Sequence, residues 1–290
     1  MGCRFILPMA GFLKKTVLLL IIIYAAVISP DRLDAYILES PHILYLAEKK
    51  MGGAATLKVV QNLTYYNQEN PPAQVQETLS YRLPSEFRSD IVTVEMSRIY
   101  AFSNYSAVTI TNEKTTSIVE DLLEYYKEPL LFRNRQLLGE RLAFLGIQTS
   151  KVSLGRFGHQ ICYIIGAMYP DETMPQLWIG KDSFLPVRFL LPDQSDPDQE
   201  KIVEFRYLSW MKTENIWYPM QVQTYIDEVL IRTAEAASIQ VNVTFEDRFF
   251  DVNQLQNIYP PASAAPYEET QTDELDDVQQ SIEDLKRRFD

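Results

Sequence analysis

Two histidines, His42 and His159, and two cysteines, Cys3 and Cys162, supply all the imidazole and thiol chemistry in 290 residues. A zinc site or a disulfide framework needs more such groups at defined spacings, so neither is expected. His159 follows Gly158 at the start of a strand-like run, without the neighbouring acid or serine of a general base or triad member. Cys162 lies inside the apolar run QICYIIGAMY and reads as a small buried hydrophobe rather than a reactive thiol. The acid pairs Asp171-Glu172 and Asp276-Asp277 fall in turn-like or tail sequence and read as solvated. Ten glycines form no phosphate-cradling loop and no dinucleotide fingerprint. No cofactor and no enzymatic activity is expected from these residues. Lys plus Arg number 27 against 39 Asp plus Glu, a net charge of −12, which argues against a nucleic-acid partner because phosphates demand a basic surface. With 46% apolar residues, 14 Phe, 17 Tyr and 3 Trp, the chain instead has the makings of a large, sheet-rich core.

At the amino terminus Lys14-Lys15 precedes an uncharged run of 14 residues, Thr16 to Ser29. That is the charged n-region and apolar h-region of an export signal, shorter than the roughly 20 residues of a spanning helix. Residues 1–35 are therefore expected to be a signal peptide or an amino-terminal membrane anchor. Removing them takes away Arg4, Lys14 and Lys15 and makes the exported surface more acidic still, a poor match for anionic headgroups.

Residues 36–258 should form the folded domain. Pro41 to Lys50, with Ser40 as cap and Gly52-Gly53 behind it, predicts a short helix. Leu57, Val59, Leu63 and Tyr65 alternate with polar residues at the period of a half-buried strand, and Thr78–Leu83 and Ile91–Ser97 continue the pattern. Thr115 or Thr116 is expected to cap a helix running through Ile118 to Tyr126, and Pro129 to open a second from Leu130 to Leu145. A helix pair set between runs of strands must lie across the sheet, as a plug or lid. From Gln160 the predicted strands come densely: 160–169, 176–181, 187–191, 201–212, 217–226 and 229–245. Short polar turns between them imply an antiparallel meander and one large curved sheet. After Pro260-Pro261, residues 259–290 read as a Pro/Ala linker followed by an amphipathic helix, with Leu275, Val278, Ile282, Leu285 and Phe289 spaced by three and four.

Four segments carry a resemblance. QLWIGKDSFLPVRFLLP (176–192), KIVEFRYLSWMKTENIWYPMQVQTYID (201–227), VNVTFEDRFFDV (241–252) and YRLPSEFR (81–88) resemble, in order, motifs of the LolA/LolB superfamily of periplasmic lipoprotein and lipid carriers, across roughly residues 43–252. The resemblance implies a mainly β, α+β fold. Its antiparallel strands curve into an unclosed half-barrel whose concave apolar face is covered by helices and holds acyl chains. It implies a non-enzymatic carrier of lipid or lipoprotein acyl chains toward the outer membrane, with an inner-membrane release complex or an outer-membrane acceptor as partner. The alternative it leaves open is an envelope regulatory module of the same fold that grips a membrane protein. The family's lid-tethering arginine directly before the strand-end proline is replaced by Leu83, with Arg82 one position earlier.

The candidate ligand-binding residues are Trp178, Phe184, Leu185, Val187 and Phe189 for the cavity. Leu131, Leu138, Leu142 and Leu145 share one helical face and are the candidates for the lid. Arg82 and Arg188 are the candidates for a headgroup contact or lid latch.

Overall fold

The computed structural model describes residues 37–67, 71–192 and 201–261. The expected export signal and the amphipathic pattern after Pro261 lie outside the described residues.

Helix α1 (Ser40–Met51) comes first, as the sequence predicts. Its cap is Glu39 rather than Ser40; Ser40 is already helical, with Pro41 beside it in the first turn. The helix stops at Gly52, whose φ is 75°, and a Cβ there would sit 1.9 Å from the carbonyl oxygen of Asn215. Only glycine lets this helix end pass so close to another backbone.

Thirteen strands follow in the described residues: β1 (Thr56–Tyr65), β2 (Ala73–Arg82), β3 (Glu86–Val92), β4 (Ser97–Ser103), β5 (Ser106–Thr111), β6 (Lys114–Ser117), β7 (Val152–Phe157), β8 (Gln160–Ile165), β9 (Gln176–Gly180), β10 (Pro186–Pro192), β11 (Ile202–Thr213), β12 (Ile216–Ile226) and β13 (Val229–Val241). They form one antiparallel sheet in the order β6-β5-β4-β3-β2-β1-β13-β12-β11-β10-β9-β8-β7. Two meanders thus share a single seam, β1 against β13, and β6 and β7 never meet. The fold is the mainly β, unclosed half-barrel expected.

The expected boundaries differ in several places: β2 begins at Ala73, the strand expected over 160–169 ends at Ile165, and β5, β6 and β7 lie where no strand is expected. The run 91–97 is not one strand: β3 ends at Val92, and a turn in which Thr93 accepts the Met96 amide leads into β4. The long strand 229–245 ends at Val241 because Asn242 takes φ 57° and turns its Oδ1 to the amide of Ala55 at 3.0 Å. Three two-residue hairpins, Asn104-Tyr105, Asn112-Glu113 and Asp227-Glu228, hold both residues at positive φ. This is the turn geometry whose twist matches the flanking strands, here built without glycine.

Alternation and register assign the two faces. Leu57, Val59 and Leu63 of β1 sit opposite Tyr81, Leu79 and Val75 of β2, and all are buried on the face that the helices cover. On the same face the Tyr81 and Tyr218 hydroxyls meet at 3.0 Å, joining the two meanders beneath the cover. The outer face carries a second helix site: Val252 and Leu255 of α4 (Val252–Ile258) pack on Ala101, Val108 and Ile110.

Candidate ligand face and its helical cover

The cover is built from a 3-10 turn (Leu122–Lys127), the short α2 (Glu128–Leu131) and α3 (Arg135–Phe144). Its start differs from the expected one. Thr115 and Thr116 lie in β6, and the cap is Asp121, whose carboxylate accepts the Leu123 amide at 2.9 Å. The expected helix 130–145 is also divided. Asn134 leaves helical backbone, and its side chain accepts the amides of Gln136 and Leu137 at 3.0 and 3.1 Å, starting α3 afresh. Leu131, Leu138 and Leu142 are buried and Leu145 is half-buried, but they do not share the one helical face expected: Leu131 ends α2, Leu138 and Leu142 lie on α3, and Leu145 caps it. α3 lies against α1, with Leu44 at 3.7 Å from where a Cβ on Gly139 would be.

The cover is fastened by polar contacts that the sequence reading did not single out. Arg98 of β4 reaches Asp121 at 2.7 Å and Glu124 at 3.1 Å. Arg232 of β13 donates to the Leu123 carbonyl at 2.5 Å, and the Tyr207 hydroxyl of β11 donates to that of Tyr126 at 2.8 Å. Arg133 is the strongest clasp. Its guanidinium donates to the carbonyls of Leu130 (2.9 Å), Met51 at the end of α1 (3.1 Å) and Trp217 in β12 (3.1 Å). Burial draws its pKa down to about 10. The Arg133→Met variant should lose about 2 kcal/mol, the scale of charge-assisted bonds given up against the desolvation relieved. Urea unfolding checks the size, and faster amide exchange confined to α1 and the cover checks the place. Uniform exchange across the sheet would contradict a clasp.

Inside the cover, Glu128 is bound by Lys127 at 2.8 Å and by Arg141 at 2.7 Å, and Glu120 closes the group with a second contact to Arg141. Glu128 is fully buried. Burial alone would raise its pKa, but Lys127 and then Arg141 hold it below the usual carboxylate range. The Lys127 ammonium also lies 4.7 Å from the centre of the Phe102 ring. Deeper on the sheet, Glu77 accepts from Gln61 Nε2 at 2.5 Å and from Ser89. Burial, and then the charge of Glu124, push its pKa up, against the pull of Arg232. Near it Tyr126 Oη, Thr224 Oγ1, Arg232 Nε and Glu124 Oε2 are buried without a hydrogen-bond partner in the described residues. The covered face is therefore largely apolar with a polar patch under the 3-10 turn.

The candidate residues divide between the two faces. Phe189 is on the covered face, 6.2 Å from Phe205, which in turn is 6.4 Å from Tyr126 of the cover. Phe184, at φ 53°, stacks on Tyr163, and Leu185 is buried beside the same β9–β10 turn. Trp178 and Val187 instead join Cys162, Ile164 and Leu190 in a separate cluster on the outer face. Arg188 pairs across the strands with Trp178, so it too points outward. It is held by Glu204 at 2.5 Å and by both oxygens of Glu172 at 2.9 Å. Arg82 also points outward, to Glu86 at 2.7 Å, to the Glu246 carbonyl at 3.1 Å and over the Phe250 ring at 4.7 Å. Neither arginine touches the cover in this structure; the clasp is Arg133. In Cys162 burial pushes the thiol up to about 11, which disfavours a thiolate.

Comparison with solved structures places this architecture. A LolA superfamily protein from Nitrosomonas europaea superposes with TM-score 0.51 at 9% identity, covering 75% of this chain and 100% of the other. An outer-membrane lipoprotein-sorting protein domain from Vibrio parahaemolyticus gives 0.52 at 8% identity, covering 74% and 97%. A DUF1329 family protein from Desulfovibrio piger gives 0.50 at 11%, covering 75% and 98%. No protein-family model and no curated protein matches the sequence. The chain has the LolA-like fold, reached by a sequence that shares about one residue in ten with these structures.

Proposed function

We propose that this protein is a non-enzymatic carrier of lipid or lipoprotein acyl chains, exported to the periplasm and binding the chains between its sheet and its helical cover. The observation that carries the reading is the cover itself. It is a separate layer over a largely apolar face, held by its buried leucines and tied to the sheet by polar contacts of Arg98, Arg133, Arg232 and Tyr207. Polar ties of this kind exchange for water at modest net cost, and the apolar contacts that the cover gives up on rising would be replaced by acyl chains at about 0.8 kcal/mol per buried methylene. Acyl chains would therefore favour a raised cover, shifting a closed–open equilibrium. Phe184, Leu185 and Phe189 on the sheet, with Leu131, Leu138, Leu142 and Leu145 on the cover, are proposed to line the chains. The LolA-like fold of the solved structures supports the same reading.

The test is native mass spectrometry of the full chain exported in a Gram-negative host and purified without detergent, followed by solvent extraction. Phospholipid or acylated peptide is expected at about one per protein. A clean apo mass that also fails to take up added phospholipid or acylated peptide would overturn the proposal.

A further inference from the structure

Three large apolar side chains are exposed in the cover and the segment that leads into it. Ile118 is 67% exposed, Val119 56% and Phe144 70%. They are linked through the cover's own charges: Glu120, next to Val119, contacts Arg141, and the Arg141 guanidinium lies 5.2 Å from the Phe144 ring. Any one of them alone would be unremarkable, but three linked through one ion pair invite an occupant.

The described chain ends beside the segment that leads into the cover. After α4 on the outer face, the Tyr259 carbonyl accepts the Thr115 hydroxyl at 2.8 Å and the Pro260 carbonyl accepts the Thr115 amide at 3.0 Å. Pro261 forms a parallel bridge with Thr115 on the free side of β6. Parallel pairing sets the direction: the chain leaving Pro261 heads the way the chain leaving Thr115 heads, and Thr115 is three residues before Ile118. Thirteen residues, 262–274, separate Pro261 from Leu275. Extended, they span at most about 45 Å, ample to place Leu275 anywhere around the patch. Beyond them Leu275, Val278, Ile282, Leu285 and Phe289 recur at helical spacing, in a segment too short to hold a helix alone in water.

We infer that residues 275–289 of this chain dock through that apolar stripe on the patch of Ile118, Val119 and Phe144. Tethering supplies a high effective concentration, so a small patch suffices. Docking there braces the Glu120–Arg141 contact and so the cover's edge. The inference is independent of what the covered face carries.

The test is disulfide formation in the full chain carrying Cys3→Ser. The pair Ile118→Cys with Ile282→Cys should cross-link within one molecule at least tenfold faster than Val94→Cys with Ile282→Cys, Val94 being fully exposed in the β3–β4 loop. Adding Leu285→Asp, outside the folded domain, should abolish that tenfold advantage. Equal rates for the two pairs would overturn docking. Unchanged cross-linking with Leu285→Asp would reduce the result to tethering alone, and disulfide-linked dimers in place of the intramolecular bond would give the patch to a second copy.

Discussion

Glu128→Ala should cost about 3–5 kcal/mol and lower the Tm by roughly 10 °C or more, because it leaves the buried Lys127 and Arg141 with their charges poorly matched. The carboxylate holds both bases, and the alternatives are weak: Lys127 would retain only Glu120 at 3.7 Å, and Arg141 only its contact with the same Glu120. The loss should be local before it is global. Amide protection should fall first in the 3-10 turn, α2 and α3, while β1, β2 and β13 keep theirs. The same group sets an acid limit. Its folded pKa lies below its unfolded value, so its stabilising contribution is complete above about pH 4.5 and is lost as pH falls through the depressed folded value. The cover of the wild-type protein should therefore loosen in acid below that range, and Glu128→Ala should remove this part of the pH dependence. A change under 1 kcal/mol with an unaltered acid profile would show that the ion group does not hold the cover.

Trp178→Ala should also cost about 3–5 kcal/mol, the range for emptying a large aromatic from a core that cannot collapse around the gap. The ring is completely buried, its Nε1 donates to Gln176 Oε1 at 2.9 Å, and Phe157 and Tyr169 lie 6.4 and 6.2 Å from it. Gly155 makes its room: a Cβ there would come within 2.5 Å of Ile164 and 3.2 Å of the indole. Arg188, 4.9 Å from the ring centre, would lose an aromatic face as well. Chemical denaturation measures the cost. Because this cluster is on the outer face, the lipid bound per folded protein should not change. A drop in bound lipid at equal folded fraction would put the tryptophan in the ligand site and contradict the assignment of faces.

The sequence was most legible where one period ran uninterrupted between strong breaks. From Gln176 to Ile226 the alternation of Val203, Phe205 and Tyr207 against Glu204 and Arg206, with Pro and Asp between runs, located four strands to within a residue or two. It was least legible from Ser97 to Lys127. There the hairpin turns are Asn104-Tyr105 and Asn112-Glu113, without the glycine that usually announces them, so the pattern hides β4, β5 and β6 and makes Thr115 or Thr116 read as a helix cap. The resemblance supplied the half-barrel, but not which face each residue took. A single strand of alternation cannot say which set meets the helices, and the β-bulge at Val187 returns that residue to the side of Trp178. The charges of the cover were visible as letters in YYKEPLLFRNRQLLGER. Lys127, Glu128, Arg133 and Arg141 sit among apolar residues, a pattern that reads as a solvated helix face until the sheet is laid against it.

The single seam between the two meanders has a consequence for how the chain reaches this state. Leu57 pairs with Val241 and Tyr65 with Arg232, so β1 waits for the last strand of the sheet before its second edge is satisfied. Every other strand pair in β1–β6 closes over a short loop and can form as soon as it is synthesised. Until β13 arrives, a half-sheet exists whose innermost strand offers unpaired amides and carbonyls along ten residues, the kind of edge that recruits neighbouring chains. Loop-closure entropy makes that final joining slow relative to the hairpins. The vulnerable species in folding is thus not the unfolded chain but the half-built sheet, and its exposure lasts as long as residues 229–241 take to find β1.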